Sequence, residues 1–136
     1  MKHKFVIIGA SILVVIALVS GCLDKTGGSD ATGNIDYSTP QTNNEGGISI
    51  TVSYLAGITD ATAFEIEVTA HQDYNDDFGK NSFLRGAGGK KYQPLSYEGS
   101  RGHHAEGILR FPKIDDTRFE LVIQDVAGVE ERVFTW

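Results

Sequence analysis

An all-β body, an antiparallel sandwich of about seven strands, is what this sequence predicts for residues 48–136. Three observations predict it. Apolar and polar side chains alternate with period two from Ile48 to Tyr54, from Phe64 to Ala70 and from Arg118 to Gln124. Turn residues separate these runs, with Gly57 and Asp60 after the first and Gly128 after the last. No stretch of this part spaces its apolar residues for an amphipathic helix.

In chain order, Lys2 and Lys4 open a short basic start, and Phe5 to Val19 follows without charge or proline. A basic start, an apolar run of this length and small residues at its exit are the parts of a secretory signal. The positive end stays in the cytoplasm, so the rest of the chain is delivered outside.

The exit reads Val19-Ser20-Gly21-Cys22, and Cys22 is the only cysteine in the chain. An aliphatic residue, two small residues and a cysteine at the end of an apolar run resemble the lipobox of bacterial lipoproteins and archaeal surface proteins. The resemblance implies a thioether-linked lipid on Cys22 and removal of the signal peptide, residues 1–21. It also implies a place on the cell membrane, with the body on the extracytoplasmic side. The usual leucine is replaced here by Val19. The uncharged run continues through Leu23 and nearly spans a bilayer core of roughly 30 Å, so an uncleaved anchor helix is the alternative. With one cysteine, no internal disulfide and no cysteine-ligated zinc site can form.

The chain carries 12 Lys+Arg against 18 Asp+Glu; without Lys2 and Lys4 the exported part carries 10 against 18. That acidity argues against nucleic acid and against an anionic membrane surface as partners. Residues 22–47 are rich in Gly, Ser, Thr, Asn and Asp and read as a disordered, lipid-attached tether.

The first strand is Ile48–Tyr54. The second is Phe64–Ala70, with Phe64, Ile66 and Val68 inward. His71–Gly79 reads as a loop with a short helical turn, and Ser82–Arg85 as a weak strand. Lys91–Tyr97 is extended, and Pro94 places it at a sheet edge or a bulge. Glu106–Phe111 follows, with Gly107, Leu109 and Phe111 on one side. Arg118–Gln124 and Glu131–Trp136 close the set, and Trp136 reads as a core plug. Six to seven short strands in this order point to an immunoglobulin-like sandwich without the cysteine pair of antibody domains.

Three histidines fall in the exported part: His71, His103 and His104. His71 precedes Asp73, Asp76 and Asp77, and the pair follows Gly102. Imidazoles with carboxylates suit copper or zinc, so His71, His103, His104, Asp73 and Asp77 form a candidate metal site. Adjacent strand residues point to opposite faces, so His103 and His104 share an ion only if they sit in a turn. The plainer reading is that these histidines bond loop backbone at one end of the sandwich, with no cofactor.

The run Leu95-Ser96-Tyr97-Glu98-Gly99, the pair His103-His104 and the stretch Gly107-Ile108-Leu109-Arg110-Phe111 resemble an uncharacterised family of secreted and surface proteins with a paired-histidine motif. His71 matches an earlier histidine of that set, and Ala105 stands where a basic residue is common. The resemblance spans roughly Phe64–Trp136 and implies a β-sandwich fold, with no chemistry attached.

Asp73–Gly79 echoes an EF-hand loop, but its glycine is one place late and Leu84 replaces the closing glutamate. There is no G-x-S-x-G elbow, no phosphate-cradling glycine loop and no H-E-x-x-H. The expected function is therefore a non-enzymatic surface lipoprotein, held to the membrane through Cys22 or an uncleaved anchor. Its body would serve as a binding or assembly module for a protein or small-molecule partner. The alternative is an envelope copper- or zinc-binding protein.

Overall fold

The computed structural model describes residues 35–136. The signal, Cys22 and the first part of the expected tether lie outside the described residues.

Among the described residues, nine strands form two antiparallel sheets. Sheet A has the order β1-β2-β3-β7-β6. Its strands are β1 (Gln41–Asn43), β2 (Ile48–Tyr54), β3 (Ala61–Ala70), β6 (Ser96–Gly99) and β7 (His104–Pro112). Sheet B has the order β5-β4-β8-β9. It comprises β4 (Ser82–Gly86), β5 (Lys91–Tyr92), β8 (Phe119–Val126) and β9 (Val129–Thr135). A short helix, α1 (Phe78–Asn81), precedes β4. With β1 set aside, the strand order matches the A-B-E-D and C′-C-F-G sheets of immunoglobulin domains.

The alternation read from the sequence is the burial observed. Ile48, Ile50 and Val52 of β2 and Phe64, Ile66 and Val68 of β3 are inward, and so are Leu109 and Phe111 of β7 and Leu121 and Ile123 of β8. Phe64 is the hub. Its ring centroid lies 5.2 Å from Trp136, 5.7 Å from Tyr54 and 6.0 Å from both Phe111 and Phe119. Such aromatic contacts add to the burial term. Trp136 is a core residue, as expected, at 2% exposure.

Two expectations are corrected. The tether does not extend to residue 47, because residues 34–136 form one compact unit. Ile35 and Tyr37 pack on the core, and Tyr37 lies 5.6 Å from Tyr54 and 6.1 Å from Phe119 while its hydroxyl donates to the Thr117 carbonyl at 2.5 Å. β1 then pairs with β2. Two apolar side chains and one ladder were enough to order a stretch whose composition is that of a linker. Also, Lys91–Tyr97 is not one extended segment. It splits into β5 on sheet B and β6 on sheet A, with Pro94 between them.

A seam ties this N-terminal stretch to β9. The Gln41 amide donates to the Thr135 carbonyl at 2.6 Å and accepts from the Thr135 N–H at 3.0 Å. Arg132, 1% exposed, donates Nε–H to Asn43 Oδ1 at 3.0 Å, Nη1–H to the Val126 carbonyl at 2.6 Å and Nη2–H to the Glu45 carbonyl at 3.0 Å. Burial pulls the Arg132 guanidinium below its usual pKa, and the Glu45 charge opposes that shift. Gly46 is required beside it. Its φ is 63°, and a Cβ there would stand 2.5 Å from the Ala127 carbonyl oxygen.

Asp36 anchors the start of the same stretch. It accepts from the Ser38 N–H at 2.8 Å, the Ser38 hydroxyl at 2.6 Å and the Thr39 hydroxyl. These bonds, those of Ser38 first, lower its pKa from 3.8 to about 2. A depressed carboxylate contributes stability above its unfolded pKa and loses it as pH falls through the folded one. The stability gap between the protein and Asp36→Ala is therefore expected to be constant above pH 4.5 and to close between about pH 4 and pH 2. Urea midpoints across that range measure it; a gap that persists at pH 2 contradicts the assignment.

Candidate functional site

The two polar loops that carry the histidines do meet. β3 and β7 pair through Thr69 and His104, and the Ala70 N–H donates to the His103 carbonyl at 2.7 Å. That pairing brings the loop 71–77 beside the turn 100–103. Gly102, at φ 98°, makes the turn. Tyr74 donates its hydroxyl to the Gly102 carbonyl at 2.7 Å, and the Gly102 N–H donates to Asp76 Oδ2 at 3.3 Å. Arg101 pairs with Asp76 at 3.4 Å. Burial, with the Asp76 charge behind it, raises the pKa of both Tyr74 and Tyr97.

The candidate ligands share this end without converging. His103 Nε2 stands 3.6 Å from Asp73 Oδ1. Asp77 is turned to Lys80, 2.7 Å away, and that hydrogen bond lowers its pKa. His71 is exposed at the end of β3, and His104 is exposed at the start of β7, in strand geometry rather than in the turn. Among the described residues no group of three or more histidine, cysteine or acidic side chains is placed to hold a metal ion. The arrangement is a clasp between two loops.

The rest of the paired-histidine motif is explained by packing. Gly99 and Gly107 face each other across β6 and β7. The Tyr97 ring lies over Gly107 so closely that a Cβ there would stand 2.7 Å from it. Tyr97 also meets Phe78 edge-on at 5.4 Å, and Phe78 meets Tyr74 at 6.4 Å. A glycine inside a strand marks such a close approach, and the inward phase of Gly107 was the readable signal.

A second feature, at the opposite end of the sandwich, was not expected. A cleft of about 600 Å³ opens where β4 ends, β8 starts and β9 ends. Ile35, Phe119 and Trp136 supply apolar wall; Arg85, Arg118 and Glu120 supply polar rim. Arg85 lies 3.3 Å from Glu120 and 3.8 Å from Glu131. The Trp136 indole N–H is closed off from solvent and has no hydrogen-bond partner among the described residues. The sequence hid this site because its residues come from four separated segments.

Compared with protein-family models, curated proteins and solved structures, the chain shows no match in any of the three.

Proposed function

We propose that this chain is a lipid-anchored, extracytoplasmic protein whose immunoglobulin-like body is a non-enzymatic binding module. The observation that carries the anchor is Val19-Ser20-Gly21-Cys22 at the exit of an uncharged run. The cleft beside Trp136 supports the binding role, because small-molecule sites are typically concave, largely apolar and edged by a few polar groups.

Replacing Cys22 by serine tests the anchor. The variant is expected to keep its uncleaved signal, to run more slowly on a denaturing gel and to take up no radiolabelled lipid, while its apolar run still holds it in the detergent phase. Equal mobility, with no lipid label on the parent, would sink the lipid reading and leave the uncleaved helix.

The copper or zinc alternative rests on the 3.6 Å approach of His103 to Asp73. It requires the exposed His71 or His104 to swing in as a third ligand. Saturable micromolar uptake in a calorimetric titration with Cu²⁺ or Zn²⁺, lost in His103→Ala, would carry it.

A further inference from the structure

Sheet B departs from the pattern that β2 and β3 of sheet A keep. A sheet with one face on the core alternates apolar in, polar out. In β2 and β3 the outward positions hold Ser49, Thr51, Glu65 and Glu67. Sheet B instead turns Phe83, Val122 and Val133 outward, paired in one row across β4, β8 and β9. None of the three belongs to the core cluster.

Charged side chains roof this row. Lys91 Nζ lies 4.2 Å from the Phe83 ring centroid, and the Arg85 guanidinium carbon lies 5.5 Å from it. Arg85 and Glu131 come from strands on either side of β8 and approach to 3.8 Å across Val122. Phe83 and Val122 are buried in this way, while Val133 at the end of the row stays 45% exposed.

The roof is ordered by charge. The strand order β5-β4-β8-β9 sets Lys91 and Arg85 on one half of the face and Glu120 and Glu131 on the other. One arginine serves both carboxylates, at 3.3 and 3.8 Å. Lys91 has no carboxylate partner among the described residues. A cation is left over on the β5 side and an anion on the β8–β9 side. A two-fold axis along the strands, midway between β4 and β8, lays the cationic half of one copy on the anionic half of another and the apolar row on itself. A two-fold contact requires such self-complementarity. The outer face of sheet A lacks it, since Glu65, Glu67, Glu98 and Glu106 would meet like charges.

We propose that the outer face of sheet B is the contact between two copies of this chain, packed face to face, with Lys91 meeting Glu131 of the partner subunit. One to three outward residues per strand make a small interface, so the dimer is weak and salt-sensitive. The proposal goes beyond the binding-module reading and depends on neither the cleft nor the anchor.

The test is sedimentation equilibrium of the full-length protein in a neutrally buoyant detergent, so that only protein mass is read. A reversible monomer–dimer equilibrium is expected, weakening as salt rises from about 0.05 to about 0.5 M. Two charge-reversed proteins test the geometry. Arg85→Glu with Lys91→Glu makes the face acidic, and Glu120→Lys with Glu131→Lys makes it basic. Each alone is expected to self-associate at least about tenfold more weakly. Their equimolar mixture is expected to form a heterodimer at least as tight as the parent dimer, which misfolded proteins could not do. Lys91→Glu alone, at an exposed position, is expected to weaken the dimer about threefold or more at an unchanged thermal midpoint. That variant decides the matter should a double reversal fail to fold. A parent that stays monomeric at every concentration reached overturns the proposal. So does association unchanged by these variants, the result expected if the apolar N-terminal run alone drove it. A mixture of folded reversals no tighter than its components overturns it as well.

Discussion

Arg132→Met is expected to lower stability by about 3 kcal/mol, although methionine fills similar space and is at home in a core. The reason is what it leaves behind. Asn43 Oδ1 and the carbonyls of Val126 and Glu45 all accept from this one guanidinium. Without it, the buried Val126 carbonyl loses its donor, at about 1–3 kcal/mol before the structure relaxes, while Asn43 Oδ1 keeps the Glu45 N–H and the Glu45 carbonyl keeps the Ile48 N–H, each losing one of two donors. Relaxation has a clear route, release of residues 41–47 from β9, so the losses do not simply add. In urea, with a slope of about 1.5 kcal/mol/M for a body of this size, the midpoint is expected to fall by roughly 2 M. Amide exchange in β1 should accelerate with it. A midpoint within 0.5 M of the parent's, on the order of the fitting error, would show that the seam contributes little.

Gly107→Val is the second large effect, expected at about 2–3 kcal/mol. A side chain at 107 would enter the Tyr97 ring, which lies 2.7 Å from the missing Cβ. The ring can swing away only by leaving Phe78 and uncovering the flank of sheet A. A double-mutant cycle separates this from simple strain. In a Tyr97→Ala background the cost of Gly107→Val is expected to shrink by at least about 1 kcal/mol, because the clash is gone. Equal cost in both backgrounds would place the penalty in the β6–β7 backbone instead. A smaller cost in the Tyr97→Ala background would show that Gly107 makes room for an aromatic ring, separate from any chemistry of His103 and His104.

The strands of this body were legible where one face is buried and the other wet. Ile48–Tyr54 and Phe64–Ala70 alternate cleanly, and their burial alternates with them. Legibility failed where a few residues outweigh composition. Tyr37 sits among Asp, Ser and Thr, and nothing local says that it reaches Tyr54 and Phe119. Arg132 occupies the inward phase of β9, but an arginine ordinarily reads as surface. The proximity of Asp73 to His103 was invisible because it is set by the β3–β7 register and not by sequence spacing. The cleft was hidden for the same reason, since only sheet order brings Arg85, Phe119 and Trp136 to one end.

The Gln41–Thr135 and Asn43–Arg132 bonds join residues 94 and 89 positions apart. Their reach has a kinetic meaning. A chain made from its first residue onward presents Gln41 and Asn43 early and must keep them waiting until the final strand emerges. Locking is then the last event of maturation, and a polypeptide cut short before Arg132 has nothing to close against. Pairings this distant put such a body among the slower folders, milliseconds to seconds, an interval in which the unlocked margin of the first sheet is open to whatever stands beside it.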